Sequence, residues 1–190
     1  MLAAAKRPAE AEVAPADQPP AELALIYEQH FDFVWRSARR LGVPDSAVDD
    51  VVQEVFIVVH RQLASFEGRS SMKTWLFGIL RNLVLRQRRS WARRREEALE
   101  ESEVAGADAP ADEHLAEREA RRVLHALLAG LDDDKRAVFV LAELEQMSAP
   151  EIAEATGLKL NTVYSRLRLA RAEMDKALDR HRARERGGAR

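Results

Sequence analysis

Between residues 48 and 63 apolar side chains return mostly every third or fourth position: Val48, Val51, Val52, Val55, Phe56, Val59 and Leu63. An α-helix brings such a series to one side, because 3.6 residues complete a turn. Valine is a mediocre helix former, so this stripe predicts a helix kept in place by what it packs against. Neighbouring stretches follow the same rule. Leu25, Phe31, Val34 and Ala38 recur through 21–41 and stop at Gly42-Val43-Pro44; Asp45 or Ser46 can cap the next helix. Residues 66–71 read as a loop, and Trp75, Leu76, Ile79, Leu80 and Leu83 line a third helix from 74 onward. No alternating β-branched run competes, and the chain has only 8 glycines, so strands are not expected. The predicted fold is all-α.

A second helical unit follows an acidic, alanine-rich stretch broken by Gly106 and Pro110. Leu115, Val123, Leu124, Leu127, Leu128 and Leu131 mark one helix; Val138, Leu141, Ala142 and Leu144 mark another through 135–147. Residues 148–178 have the order of a helix-turn-helix. Ser148-Ala149-Pro150-Glu151 has capping-box spacing with proline in the first turn, Ile152, Ala153 and Thr156 face inward, and Gly157 supplies the turn. In the next helix Val163, Leu167, Ala170, Met174 and Ala177 align inward. Asn161, Ser165 and Arg168 fall on the opposite face, flanked by Thr162 and Tyr164. Short polar groups there suit base edges in a major groove; an amphipathic hairpin with a merely solvated face would share part of this pattern. The chain thus divides into a tail at 1–20, a helical unit at 21–95, an acidic linker at 96–113, a helical unit at 114–180 and a basic tail at 181–190. The linker is expected to be flexible.

Charge supports this division. The net charge is −2, but residues 21–95 hold 13 basic and 8 acidic side chains, residues 96–119 hold 1 and 10, and residues 176–190 hold 6 and 2. Alternating blocks of this kind mark nucleic-acid surfaces separated by a solvated segment, although charge also serves solubility. On the 48–63 helix, Asp50, Gln53, Glu54 and Ile57 share the face opposite the core stripe, and an isoleucine among carboxylates suggests a protein contact. On the third helix Arg81 and Arg88 align seven residues apart, beside Asn82 and Arg89, a face suited to phosphates. Trp75 fits a partly core position better than a base-stacking platform; Trp91 fits either.

These segments resemble the extracytoplasmic-function (ECF) group of bacterial RNA polymerase sigma factors. The motifs are DDVVQEVFIVVHRQL, FEGRSSMKTWLFGILRNLVLRQRR and LEQMSAPEIAEATGLKLNTVYSRLRLAR, in that order, within a resemblance covering about residues 21–180. It implies a domain two and a domain four joined by a linker that threads toward the polymerase active centre and RNA exit path. It places contact with the clamp helices of core RNA polymerase on Asp49, Asp50, Gln53 and Glu54, to which the outward Ile57 is added. Promoter −10 DNA falls to Arg69, Ser70, Lys73, Thr74, Trp75, Arg81, Asn82, Arg88 and Arg89, with a flipped base held in the loop. The −35 element falls to Lys159, Asn161, Thr162, Tyr164, Ser165, Arg166, Arg168 and Arg171, with domain four also docking on the polymerase flap. An anti-sigma factor is an expected partner. The sequence departs from the family pattern at Arg86, where an aspartate is common, and at Tyr164 and Leu169, where basic residues are common. Arginine instead stands one place earlier, at Arg168. Lys159 replaces the usual small cap.

A helix-turn-helix regulator that does not join polymerase is the alternative, but it would not need the first unit. The five histidines show no metal-ligand spacing, and no glycine-rich phosphate loop or nucleophile motif is present, so neither catalysis nor a cofactor or metal is expected. The absence of cysteine excludes disulfides, thiolate zinc sites and direct thiol sensing by this chain. No apolar run approaches the ~20 residues of a membrane span, and the first twenty residues do not resemble a signal peptide. A cytoplasmic protein is expected.

Overall fold

The computed structural model describes residues 21–99 and 115–188. The tail at 1–20, most of the acidic linker, and residues 189–190 lie outside them. The described residues form helices α1 (Ala21–Arg40), α2 (Val48–Gln62), α3 (Met72–Leu99), α4 (Leu115–Ala129), α5 (Asp133–Phe139), α6 (Ala149–Thr156) and α7 (Leu160–Gly188), with no strand among them. The last helix runs well into the segment set apart as a basic tail, and α3 runs into the first residues assigned to the linker.

The valine stripe forms its helix because it is buried. Val48, Val51, Val52, Val55 and Val59 are at most 2% exposed, against Val34 of α1 and Leu76, Phe77 and Leu80 of α3. Each such burial contributes about 1.5–3 kcal/mol, which outweighs the few tenths lost to β-branching in a helix. Trp91 also lies in this core, at 8% exposure. One α1 expectation fails: Leu25 is 53% exposed, and Ile26 takes the inward position with Phe33, Val34 and Ala38. A one-residue shift in register rotates the stripe by about 100°.

Three turns fix how the helices meet. At the end of α1, Gly42 adopts φ +89 while its N–H donates to Arg39 O and the Val43 N–H donates to Ala38 O, the paired bonds of a Schellman ending. The helix expected through 135–147 instead ends as a π-helical turn at Val140–Leu144, and Gln146 then adopts φ 56. Before α6, the Ser148 N–H and hydroxyl both donate to Glu151, at 2.9 and 2.6 Å, and hold that carboxyl below its usual range. Gly157, at φ 71, ends α6 and starts the turn into α7.

The two helical units pack on each other. Val138, Leu141, Ile152, Val163 and Leu167 belong to the same buried cluster as the core of α1–α3, while Leu128, Leu131, Val140, Ala170 and Met174 form a second cluster. Gly78 faces α6 so closely that a Cβ there would lie 3.5 Å from Ala155 O. Arg136, only 6% exposed, ties the units together. Its guanidinium donates to Leu128 O, Ala129 O and Leu131 O at the end of α4, and to Leu41 O at the end of α1, at 2.8–3.2 Å. A Cβ on Gly42 would sit 2.5 Å from that guanidinium, so this turn needs glycine for space as well as for φ.

Candidate nucleic-acid interface

The helix-turn-helix presents the face its spacing predicts. Val163, Leu167, Ala170 and Met174 are buried, and Asn161, Tyr164, Ser165 and Arg168 are exposed in line along the opposite side of α7. Lys159 is exposed at the helix entrance, and its carbonyl accepts from Thr162 N–H and Val163 N–H at 2.8 and 3.0 Å, so the backbone starts the helix in place of a small capping side chain. The Ser165 hydroxyl donates to Thr162 O at 3.0 Å, which leaves its lone pairs to accept. Thr162 is half-buried. Two arginines grouped with this face turn elsewhere: Arg166 pairs with Asp134 of α5 in the same unit, and Arg171 pairs with Glu143 at 2.7 Å.

The predicted −10 residues divide into three groups. The first is the loop into α3. Gly68 adopts φ +67, Arg69 is exposed and pairs with Glu67 at 3.1 Å, and Ser70 is half-buried. Thr74 is 2% exposed, so it is structural here and not an outward contact. The Ser71 hydroxyl lies 2.8 Å from its hydroxyl and accepts from its N–H, which anchors the loop to the first turn of α3. Trp75 is half-buried and stacks on Phe66 at 4.7 Å between centroids, while Lys73 lies over the Phe33 ring. The second group, Arg81 and Arg88, was expected to face outward as a free basic surface. Instead Arg81 donates to Asp134 at 2.6 Å with its side chain 15% exposed, and Arg88 pairs with Asp133. Burial lowers the Arg81 pKa from its ordinary value. Asn82 is exposed and forms the third group; the Arg89 side chain lies outside the described residues.

The acidic face of α2 also separates into two flanks. Asp49, Gln53 and Ile57, with His60, border a groove completed by Leu23, Tyr27 and Phe31 of α1 and floored by Val52 and Phe56. Asp49 accepts from the Trp35 indole at 3.2 Å, and Asp50 is exposed beside it. Glu54 points the other way and accepts from Gln87 at 2.5 Å and from Arg86. The arginine at 86, where an aspartate is common, thus meets a carboxylate of the neighbouring helix. The α1 side of the groove was not read from the sequence. Tyr27 was its available signal, a large side chain left outside the predicted stripe and 45% exposed. Among the described residues no group of three His, Cys, Asp or Glu side chains could hold a metal ion.

A short-turn helix-turn-helix and a second basic helix, with no strand among the described residues, define the class of a DNA-binding transcription protein. Comparison gives the family. The Sigma-70 region 2 model matches residues 26–95 and the Sigma-70, region 4 model matches residues 121–174. The RNA polymerase sigma factor CnrH of Cupriavidus metallidurans is 34% identical over 154 residues, 76% of this chain and 80% of that protein. The ECF RNA polymerase sigma factor SigE of Mycolicibacterium smegmatis is 33% identical over 158 residues, 82% of this chain and 61% of that longer protein. The solved structure of CnrH in complex with the cytosolic domain of CnrY superposes with TM-score 0.63 at 28% identity, covering 83% of this chain and 87% of that one. A second, of the sigma factor RpoE in complex with the anti-sigma factor NepR from Bartonella quintana, gives TM-score 0.62 at 26% identity over 80% and 96%. The chain belongs to the sigma-70 family of RNA polymerase sigma factors, in its extracytoplasmic-function group. It is a transcription initiation factor of a family known as non-catalytic, and no described helix is long and apolar enough to cross a membrane.

Proposed function

We propose that the groove between α1 and α2 is where this sigma factor joins core polymerase, and that the outer face of α7 and the loop-and-basic edge of α3 divide promoter DNA between them. The groove carries the reading. Tyr27 and Ile57 are 45% and 41% exposed above an apolar floor, with Asp49 and Gln53 at the rim and Asp50 exposed next to Asp49 in the chain. Exposed apolar area inside a polar rim is the composition of a protein interface, and a DNA-binding regulator working without polymerase has no use for it. Glu54 supports this surface from the side by holding α2 to α3.

On α7, Asn161, Tyr164, Ser165 and Arg168 read the −35 element, with Lys159 and Thr162 at the entrance. On α3 and its loop, Arg69, Ser70, Lys73, Asn82, Arg81 and Arg88 meet the −10 strands, while Thr74 and Trp75 hold the loop in shape. Holding a separated strand favours open DNA by differential binding, with no nucleotide hydrolysis in the step. The protein acts by binding and not by catalysis, in the cytoplasm, with core polymerase and promoter DNA as partners. An anti-sigma factor is a further partner, supported by the RpoE and CnrH complexes.

The test is a core-binding titration of Tyr27→Ala/Ile57→Asp, which leaves the α2–α3 bridge at Glu54 intact. Core affinity should fall at least about tenfold, as for anchors at the centre of an interface, with helicity unchanged by circular dichroism. Unchanged affinity in a folded variant removes the groove from the interface.

A further inference from the structure

The first turns of α7 carry two exposed rows. Helical residues four apart drift by only about 40° around the axis, so Leu160, Tyr164 and Arg168 form one row, with Asn161 and Ser165 in another beside it. All five are exposed. The second row is made of short polar groups. The first begins with apolar ones: Leu160 is 40% exposed and Tyr164 55%, the highest value among the exposed large hydrophobic side chains described. Among the described residues the Tyr164 ring meets no other ring and its hydroxyl has no hydrogen-bond partner. The core does not need this side chain, because Val163 and Leu167 already supply the buried face of these turns. Nor does it carry the positive charge with which Lys159 or Arg168 can meet a phosphate.

We propose that Tyr164 selects a thymine in the −35 element by packing its ring against the C5-methyl group of that base. The inference rests on the assignment of the outer face of α7 to the −35 element made above. Residues at the N-terminal end of a recognition helix are the ones that reach base edges, and Tyr164 stands one turn from the start of α7. In the major groove the other bases offer donors and acceptors, and only thymine adds an apolar group. An exposed ring gains by covering a methyl. Laid over the amino group of cytosine or adenine, or over the acceptors of guanine, it would strip water from polar atoms and return no hydrogen bond. The ring thus favours thymine and disfavours the alternatives at once. Leu160, preceding it in the row, extends the apolar edge, while Asn161, Ser165 and Arg168 keep hydrogen-bonding groups beside it for neighbouring base pairs.

The test uses holoenzyme, the full chain with core polymerase, on a promoter that the wild type transcribes, with its −35 element randomised. Selection for bound duplex should return thymine at one position with wild type and with Tyr164→Phe, and lose that preference with Tyr164→Ala. Tyr164→Gln, a long side chain without the ring, should follow Tyr164→Ala and covers a poorly folded alanine variant. The methyl is then removed alone, by placing deoxyuridine where thymine was selected. Binding should weaken about fourfold for wild type and Tyr164→Phe, the effect of exposing one methyl-sized group. For Tyr164→Ala the change should be less than about 1.5-fold, because the coupling between ring and methyl is gone. Equal losses in wild type and Tyr164→Ala overturn the proposal, as does a Tyr164→Phe that behaves like alanine, which would assign the contact to the hydroxyl. A fall in core affinity with base preference unchanged also overturns it and makes Tyr164 a protein contact. The −35 assignment itself is decided separately by Ser165→Ala/Arg168→Ala. Relaxed preference at other −35 positions there upholds the face even if Tyr164 selects nothing.

Discussion

Two long helices carry the basic residues that matter, and they stand in opposite situations. On α7, Asn161, Tyr164, Ser165 and Arg168 lie open to solvent, and Arg168 makes no ion pair among the described residues. On α3, Arg81 and Arg88 are held by aspartates of the other unit, and Arg86 by Glu54 of α2. In the assignment proposed above, the open face meets duplex DNA, whose base edges stand in the groove already. In the same assignment, the covered face meets strands that exist only after melting. On that assignment, one face free and the other occupied match the order in which their ligands become available.

The contrast breaks most severely at Arg136, which seats the acidic turn of α5 against α1. Arg136→Met leaves the carbonyls of Leu41, Leu128, Ala129 and Leu131 without this donor. A cost of roughly 2–4 kcal/mol is expected, since unsatisfied buried groups cost ~1–3 kcal/mol each and some will find water. Lysine should restore little, because a point charge cannot reproduce a fork spread over two helix ends. Urea denaturation of the full chain measures the loss. Hydrogen exchange should show it concentrated in α1, α3 and α4, with α6 and the recognition face of α7 less affected. Equal loosening of α7 would mean that the open and covered faces are not separable.

A smaller effect sharpens the contrast through DNA itself. Ser165→Ala/Arg168→Ala should lose roughly 1–3 kcal/mol per base-edge contact and relax preference at the matching −35 base pairs. Arg81→Ala/Arg88→Ala should weaken phosphate binding and opening and make the salt dependence shallower, with −35 preference unchanged. With core polymerase, a pre-melted −10 bubble should rescue the Arg81/Arg88 variant more than the Ser165/Arg168 variant. Equal rescue would place both faces in the same step.

The same contrast governs what could be read from sequence. A helix face is legible where the helix's own stripe decides its orientation. Val163, Leu167, Ala170 and Met174 fix α7, so Asn161, Ser165 and Arg168 were placed correctly by rotation alone. Arg81 and Arg88 share a face just as plainly, but whether that face meets solvent depends on α5, from which an acidic linker separates them in the chain. Three aspartates before a helix read locally as a cap, and their partners are set by tertiary packing. Thr74 failed differently: a hydroxyl in a basic loop motif looks like a contact, but its bonds to Ser71 make it the anchor of the loop. Leu25 shows how little the weaker α1 stripe constrains its phase compared with the valines of α2.

The smallest expected effect is a pH dependence on the covered side. His125 of α4 is half-buried, and its pKa is lowered by desolvation first and then by the cations of Arg39, Arg40 and Arg121, against the opposing carboxylate of Asp45. A folded pKa below the unfolded one means that the unfolded chain binds more protons in the window between the two. The stability that the neutral imidazole contributes is therefore complete above about pH 6.5, the ordinary histidine value, and is lost as pH falls through the lowered folded value. His30 is lowered in the same direction, by desolvation and then by Lys73. The two are separated by measuring urea midpoints at pH 7.5 and 5.5 for wild type, His125→Gln and His30→Gln. His125→Gln should flatten the acid-side loss. His30→Gln should flatten the same loss through a separate site, because His30 lies on α1 beside Lys73 of its own unit. An acid-side loss of stability that survives both substitutions would place the sensitivity outside these two histidines.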